Sequence, residues 1–203
     1  MKITVICGSH RESSQSLKVA KVVKQYLLDG ISEQAEIYSL AGNPLPLWDQ
    51  GVWDGDETWK NQLAPIKQLF SSSDGFVVIC PEWHGQVPAG LKNLFLLLTK
   101  NEVGHKPALI ITVSSGRGGS YPVAELRMSS YKNNRICYIP EQVIVRDVEN
   151  VLNREQEKND EMSDQFYRER IRWSLAVLKE YALALHQVRE SGVAFSDKFK
   201  TGM

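Results

Sequence analysis

Residues 75–98 read GFVVICPEWHGQVPAGLKNLFLLL and combine three features that decide the fold. The apolar run from Gly75 to Cys80 predicts a strand that is buried on both faces, as in a parallel sheet. A polar and aromatic loop follows, and Pro88 then opens a helical pattern that extends to about Thr99. Ligands bind open α/β sheets just beyond the carboxyl ends of the strands. We therefore expect the loop between this strand and this helix to contact a ligand.

Strand-like runs alternate with helical patterns along the rest of the chain, which is typical of a parallel sheet with crossover helices. The other predicted strands are Ile3–Cys7, Ala35–Leu40, Pro107–Val113 and a proline-interrupted Cys137–Val145. The predicted helices run from about Gln15 to Gly30, from Trp59 to Ser73 with Thr58 as the cap, and from Val123 to Tyr131. Five strands with intervening helices predict an α/β, flavodoxin-like, doubly wound parallel sheet of order 2-1-3-4-5, with helices on both faces.

A long C-terminal helix completes the predicted fold. Its apolar residues recur every three or four positions, so one face should be buried. These residues are Ile171, Leu175, Leu178, Ala182 and Leu185. The length of 203 residues suits one domain with a substantial core. We predict a single domain over residues 1–203, with a core at 1–145, a helical extension at about 151–190 and a loosely held tail at 192–203.

The composition excludes several classes of partner. Lysine plus arginine and aspartate plus glutamate number 24 each, and no basic stripe is interleaved with aromatic residues, so nucleic acid is not expected. No apolar stretch approaches the length of a membrane span and no secretory signal precedes the first strand, which predicts a cytoplasmic protein without a membrane partner. Cys7, Cys80 and Cys137 form no C-x-x-C pair, so we expect buried, free thiols in a reducing compartment and no metal site.

A serine-rich loop between the first strand and the first helix offers donors for an anion. It reads Gly8-Ser9-His10-Arg11-Glu12-Ser13-Ser14-Gln15-Ser16. A helix N-terminus presents free N–H groups and a positive dipole end, serine hydroxyls add donors, and Arg11 adds a forked cation. The glycine–lysine phosphate loop and the dinucleotide glycine fingerprint are both missing, which favours a monophosphate. The alternative is a loop that only caps the helix, with Arg11 in solvent.

The loop after the apolar run reads Pro81-Glu82-Trp83-His84-Gly85-Gln86. It offers backbone donors and an aromatic plane but no nucleophile–base pair, which suits a flat ligand with polar edges, such as a flavin ring. Pro81 and Gly85 permit a tight backbone path. The alternatives are that Trp83 packs in the core, that Glu82 is a solvated carboxylate and that His84 only forms hydrogen bonds. We predict no catalytic side chain, because a bound flavin carries the chemistry itself.

A third candidate loop, residues 114–120, follows the fourth predicted strand and is rich in glycine. Glycines let the backbone approach a ligand closely, although a flexible turn would show the same composition. Because the carboxyl ends of parallel strands meet at one edge of a sheet, we expect all three loops to project from that edge.

These loops resemble those of the NADPH-dependent FMN reductase family, which has a flavodoxin-like fold and includes quinone, azo-dye and chromate reductases. The resemblance covers roughly residues 1–145. The matching stretches are Gly8-Ser9-x-Arg11 with Ser14 and Ser16, the whole of residues 81–93, and Ser114, Gly116, Gly118-Gly119 and Leu126-Arg127. Family members usually carry Tyr-Asn where this chain has Trp83-His84, and Ser-Ile where it has Gln86-Val87, so we expect a pocket of different shape.

The resemblance implies one FMN-binding domain with noncovalent FMN as cofactor and NAD(P)H as co-substrate. The residues implied to hold the FMN phosphate are Ser9, Arg11, Gln15 and Ser16, and Ser14 is implied to be a further cofactor-binding residue. Those implied to line the ring edge are Pro81, Glu82, Trp83, His84 and Gly85, with Ser114, Ser115 and Gly116 near the ring. The resemblance also implies a homodimer or homotetramer and a small-molecule electron acceptor.

The implied activity is the transfer of hydride from NAD(P)H, via flavin N5, to an acceptor such as a quinone, a free flavin, an azo compound or a metal oxyanion. One alternative is a flavodoxin-type electron carrier that binds FMN without NAD(P)H turnover, and another is an interaction module that has lost its cofactor. Flavodoxins usually show a threonine-rich phosphate loop and an acidic surface, and this chain has neither. The tryptophan-rich segment 41–59 could form a subunit interface, a substrate lid or a packed satellite core.

Overall fold

A computed structural model describes residues 1–202 and contains a five-stranded parallel sheet. Its strands are β1 (Lys2–Cys7), β2 (Gln34–Ser39), β3 (Gly75–Pro81), β4 (Pro107–Val113) and β5 (Cys137–Val145). The spatial order is β2-β1-β3-β4-β5, and every neighbouring pair is parallel. The predicted fold class and strand order are therefore confirmed.

Helices cover both faces of the sheet. They are α1 (Gln15–Leu28), α2 (Gly51–Asp54), α3 (Glu57–Ser71), α4 (Ala89–Leu97), α5 (Lys100–Val103), α6 (Ser120–Met128) and α7 (Glu161–Glu190). Helices α1 and α7 pack on one face, and α3, α4 and α6 pack on the other. Each face buries its own apolar cluster, so every residue of the central strands β3 and β4 is buried. Their nearly unbroken apolar sequences follow from this two-sided burial.

The long helix α7 buries most of its predicted stripe. Ile171, Leu175, Leu178 and Ala182 are buried, whereas Leu185 near the end of the helix is only partly buried. The first three belong to the same apolar cluster as β1 and α1. Helix α7 therefore shares the core of the sheet instead of forming a separate layer.

The register of the central strands places three strand ends side by side. Cys7 of β1 pairs with Ile79 of β3, and Pro81 of β3 pairs with Val113 of β4. Gly8 continues this edge, because its N–H donates to the Ile79 carbonyl at 2.8 Å. The loops after β1, β3 and β4 therefore leave the same edge of the sheet, as the sequence predicted.

Helix α3 begins earlier than predicted because a different side chain caps it. The sequence placed the start at Trp59 with Thr58 as the cap. The cap is instead Asp56, whose carboxylate accepts a hydrogen bond from the Thr58 N–H at 2.7 Å, and the helix begins at Glu57. Asp, Ser and Thr are all good caps, so spacing alone does not separate neighbouring candidates.

The helix after the loop that follows β3 is also shorter than predicted. Helix α4 ends at Leu97 and not at Thr99, because Thr99 caps the next helix, α5. The Thr99 side chain accepts a hydrogen bond from the backbone of α5, and the Glu102 carboxylate accepts from the Thr99 N–H at 2.7 Å. This reciprocal capping box starts a new helix within two residues. Helix α6 covers Ser120–Met128 and so lies three residues earlier than the predicted range of 123–131.

The tryptophan-rich segment is divided between the core and the surface. Trp59 is buried, and its indole N–H donates to the Asp49 carboxylate at 2.8 Å. The Trp48 N–H donates to the Asn93 side chain at 2.8 Å, which fixes the segment against α4. Trp53 is 76% exposed and packs edge-on against Trp48, with ring centroids 4.8 Å apart. Core packing therefore explains Trp59 but leaves Trp53 unexplained.

The three cysteines are free, and Cys7 and Cys80 are buried, whereas Cys137 is partly buried. Burial raises the pKa of the Cys80 thiol far above its usual range, so the thiol stays protonated.

Across residues 1–202, none of the helices combines the length and apolar character that a membrane crossing needs.

Candidate functional site

The loop after β1 presents a row of unpaired backbone donors. Ser14 caps α1, because its hydroxyl accepts a hydrogen bond from the Leu17 N–H at 3.1 Å. The N–H groups of residues 12–16 have no acceptor within residues 1–202. Ser9 and Ser16 are buried and Gln15 is partly buried, so the donors line a protected start of the helix. Unpaired N–H groups at a helix N-terminus form an anion-binding site.

Arg11 supplies the positive charge at this loop. Its side chain is exposed, and its guanidinium has no hydrogen bond or ion pair within the described chain. The Arg11 backbone N–H is held by the Ser9 hydroxyl at 3.3 Å, so the backbone that carries the side chain is ordered by the loop itself. The guanidinium is therefore available to an anion at the start of α1.

The loop after β3 is a tight two-residue turn. Trp83 and Gln86 exchange two backbone hydrogen bonds, of 3.2 Å and 3.0 Å. Between them His84 and Gly85 have φ angles of 52° and 71°, which is the left-handed pair that a type I′ turn requires. Glycine adopts this conformation without strain, and histidine is among the side chains that tolerate it best. The N–H groups of His84 and Gly85 have no acceptor in residues 1–202, so both can donate to a ligand.

His10 links this turn to the first loop, although the sequence did not single it out as a site residue. Its Nε2 accepts a hydrogen bond from the Gly90 N–H, at the start of α4, at 2.9 Å. Its ring packs edge-on against Trp83, with centroids 5.3 Å apart. Trp83 is partly buried by this contact and lies at the edge of the site, outside the main core. Nothing in the helical or strand periodicity signals a contact between residues so far apart.

Glu82 links the second loop to the third. Its carboxylate accepts a hydrogen bond from the Gly119 N–H at the start of α6, and its own N–H donates to the Val113 carbonyl at 3.1 Å. A Cβ on Gly118 would lie 2.9 Å from the same carboxylate. Glu82 is therefore partly buried and tethered, and the alternative of a solvated carboxylate is wrong.

Replacing Glu82 tests whether its hydrogen bond with the Gly119 N–H stabilises the fold. Glu82→Ala is expected to lower the free energy of unfolding by about 1.5–3 kcal/mol, because the Gly119 N–H loses a charged acceptor. Glu82→Gln keeps a carbonyl acceptor and should recover at least half of that loss. Urea unfolding of both variants without added ligand measures the difference. Equal stability of Glu82→Ala and wild type would contradict the tether.

The loop after β4 is fixed by the strand next to it. The Ser114 N–H donates to the Val145 carbonyl at 2.9 Å, and the Asp147 N–H donates to the Gly116 carbonyl at 3.0 Å. Ser114 is partly buried, whereas Ser115 and Gly116 are exposed, and a Cβ on Gly116 would meet nothing within 4 Å. Of the glycines in this loop, Gly116 therefore faces open space, whereas Gly118 accommodates Glu82.

Glu125 of α6 forms a hydrogen bond and an ion pair that support the turn after β3. The Glu125 carboxylate of α6 accepts a hydrogen bond from the Val87 N–H at 2.8 Å and pairs with Lys92 of α4 at 2.9 Å. Burial alone would raise the pKa of Glu125, but the Val87 N–H and the Lys92 charge outweigh it and lower the pKa. Glu125 thus stays ionised and holds the second loop, α4 and α6 together.

A groove of about 1410 Å³ lies between α1 and α7 and borders the first loop at Glu12, Ser13 and Ser14. Some of its charged side chains already bind other parts of the fold. The Lys18 ammonium donates to the Val148 and Val151 carbonyls, and Arg168 pairs with Asp164 at 2.7 Å. These bonds join α7 and the segment before it to the rest of the fold. The Lys21 and Arg154 side chains in its lining have no partner in residues 1–202. We place the candidate site at the three loops because they lie at the carboxyl edge of the sheet, where ligands bind this class of fold.

Comparison with known proteins identifies relatives of the chain. A family model described as NADPH-dependent FMN reductase matches residues 1–150. An NADPH azoreductase of Bacillus sp. (strain OY1-2) is 30% identical over 147 residues, which cover 71% of this chain and 76% of that protein. An FMN-dependent NADPH-azoreductase of Staphylococcus saprophyticus is 30% identical over 129 residues, which cover 63% of this chain and 68% of that protein. The matched region contains all three loops.

Solved structures share the fold. The flavoenzyme NAD(P)H:(acceptor) oxidoreductase FerB from Paracoccus denitrificans aligns with a TM-score of 0.69 and 21% identity, over 90% of this chain and 97% of its own. An FMN-dependent NADH-azoreductase from Bacillus anthracis, solved in complex with FMN, aligns with a TM-score of 0.60 and 15% identity, over 88% of this chain and 100% of its own. At these identities the alignments show the flavodoxin-like fold.

Proposed function

Because this chain belongs to the NADPH-dependent FMN reductase family, we propose that its three loops hold one FMN at the carboxyl edge of the sheet. The family match confirms the predicted class of enzyme, an NAD(P)H-dependent FMN oxidoreductase. The individual contacts to the cofactor are our proposal. We further propose that residues 1–203 act as one FMN-binding domain, since α7 packs on the same core as α1.

The row of unpaired N–H groups at residues 12–16 carries the proposal. We assign the FMN phosphate to these groups, together with the Arg11 guanidinium and the hydroxyls of Ser9 and Ser16. The donor set suits a phosphate, because N–H groups, hydroxyls and a forked cation all donate to its oxygens. Gln15 lies in the first turn of α1 and can add one side-chain donor. The Ser14 hydroxyl can donate outward while it accepts from the Leu17 N–H.

The ring is assigned to the gap between the second and third loops. The free N–H groups of His84 and Gly85 suit the polar edge of a flavin, and Pro81 and Glu82 set the backbone path that leads to them. Ser114, Ser115 and Gly116 border the gap from the side of β4. Bound FMN supplies the hydride chemistry, so the side chains of this site need only bind and orient the cofactor.

The acceptor, the assembly and the compartment are parts of the same proposal. We propose a planar acceptor such as an azo compound or a quinone. The names of the curated relatives support the azo compound, and the exposed aromatic ring of Tyr121 near Gly85 suits either planar molecule. We propose a homodimer or homotetramer. Exposed apolar side chains along α7 support it, namely Met162, Phe166, Trp173, Tyr181 and Val188. Three free cysteines suit a reducing cytoplasm.

Flavin titration and steady-state turnover test the proposed function. The purified protein is expected to bind FMN, to bind riboflavin much more weakly because riboflavin lacks the phosphate, and to oxidise NADPH steadily when a quinone or an azo dye is added. Equal affinity for FMN and riboflavin would contradict the phosphate site. Tight FMN binding without NADPH oxidation would instead indicate an electron carrier.

A further inference from the structure

His10 occupies the variable position of Gly8-Ser9-x-Arg11, and its imidazole is used as an acceptor. The Gly90 N–H points at Nε2 at 2.9 Å, so Nε2 carries no proton and the neutral ring is protonated on Nδ1. The fit at this bond is close, because a Cβ on Gly90 would lie 2.3 Å from Nε2. Only glycine allows the start of α4 to approach the ring in this way.

The same residue contacts two other segments. Its ring meets Trp83 edge-on at 5.3 Å, and its carbonyl accepts a hydrogen bond from the Gly42 N–H at 2.9 Å. His10 therefore joins the loop after β1 to the turn after β3 and to the start of the tryptophan-rich segment. Its neighbours Ser9 and Arg11 belong to the proposed phosphate site, and Trp83 borders the proposed ring site. A movement of His10 would displace one half of the cofactor site relative to the other.

We infer that His10 is a positioning residue whose neutral imidazole couples the loop after β1, which carries the proposed phosphate site, to the turn after β3, which borders the proposed ring site. Tight FMN binding then requires that the His10 imidazole is neutral. The inference rests on the proposed placement of FMN. It concerns the position of these two loops relative to each other and assigns His10 no contact with the cofactor.

Protonation would break this arrangement. An imidazolium carries a proton on both nitrogens, so Nε2 could no longer accept from the Gly90 N–H and two N–H groups would face each other. Burial lowers the pKa of His10, in agreement with a ring that stays neutral at neutral pH. The ionisable groups on the elements packed against His10 are Arg11 and Glu12 on its own loop, Glu82 and His84 beside Trp83, and Lys92 on α4. The tryptophan-rich segment adds Asp49, Asp54, Asp56 and Glu57.

Protonation of His10 should therefore weaken FMN binding as the pH falls. The site is intact above the pKa of His10 and is lost as the pH falls through it. The phosphate of FMN also gains a proton in mildly acidic solution and then binds less tightly in any variant. Only the difference between the wild type and a variant without a titrating ring at position 10 therefore reports His10.

Flavin titrations of the whole protein at several pH values test the inference. His10→Gln places an amide oxygen where Nε2 lies and does not titrate, whereas His10→Leu removes the acceptor. His186→Gln makes the same change at an exposed site on α7 and serves as the matched control. FMN affinity is measured by fluorescence between about pH 8 and about pH 5.5, the range in which histidine titrates. Circular dichroism checks that each variant is folded.

We expect His10→Gln to match the wild type within about threefold at the upper pH, and His10→Leu to bind about tenfold more weakly. At the lowest pH the wild type and His186→Gln should each have lost several-fold more affinity than His10→Gln, because a lowered pKa leaves part of the His10 rings neutral there. Nitrogen NMR of the flavin-free protein should place the neutral proton of His10 on Nδ1. Parallel pH curves for the wild type and His10→Gln, or a proton on Nε2, would overturn the inference. A wild type that fails to bind FMN at any pH would instead refute the proposed function.

Discussion

Replacing Arg11 with alanine is expected to weaken FMN binding about ten- to a hundredfold and to leave riboflavin binding almost unchanged. The Arg11 side chain is exposed and unpaired within residues 1–202, so its removal should change the stability of the fold by less than about 0.5 kcal/mol. Hydrogen bonds from a guanidinium to phosphate are charge-assisted and contribute about 1.5–3 kcal/mol each. Riboflavin lacks the phosphate and gains nothing from Arg11. Fluorescence titration with both flavins measures the difference.

Two further variants make the Arg11 experiment specific. Arg11→Lys keeps the charge but loses the planar fork, so its FMN affinity should lie between those of the wild type and Arg11→Ala. Lys132→Ala removes one exposed positive charge near the opposite edge of the sheet and should change neither affinity. FMN binding of wild-type strength by Arg11→Ala would refute the phosphate assignment. Equal losses for FMN and riboflavin would mean that the variant distorts the loop.

The central strands were predictable because two-sided burial leaves a simple sequence signal. Strands β3 and β4 are apolar at nearly every position, and the structure buries every residue of both. The ends of helices were less predictable, because a single hydrogen bond decides between neighbouring caps. Asp56 and Thr58 are both good caps, and only the folded loop shows that Asp56 accepts and Thr58 donates through its backbone.

The candidate site was predictable as three loops but not as one connected unit. Each loop could be read from its own residues, because it follows a predicted strand and carries donors or glycines. The contacts that join the loops connect residues far apart in the chain, such as His10 with Gly90 and Glu82 with Gly119. No periodicity or local motif encodes such pairs. For the same reason the sequence could not tell the buried Trp59 from other tryptophans in its segment.

A methyl group at Gly119 is the change expected to destabilise the fold most, and Gly119→Ala should lower the free energy of unfolding by about 3 kcal/mol. Gly119 has a φ angle of 103°, a conformation that L-residues rarely adopt. Its Cβ would lie 2.5 Å from the Ile144 Cγ2 and 3.1 Å from the Thr112 hydroxyl. Backbone strain of about 1–2 kcal/mol adds to overpacking of about 1–3 kcal/mol. Thermal unfolding without flavin should show a melting temperature lowered by roughly 10 °C.

Gly116→Ala is the matched control, because it adds the same methyl group three residues away in the same loop, where no heavy atom lies within 4 Å. Its unfolding free energy should stay within about 0.5 kcal/mol of the wild type. The added methyl group would instead enter the space assigned to the flavin, so FMN should bind several-fold more weakly to a protein that melts normally. Loss of stability in both variants, or in neither, would contradict the assignment of Gly119 to packing and of Gly116 to ligand access. The two variants thus distinguish a glycine needed for packing from a glycine needed for ligand access, a difference that the composition of the loop does not show.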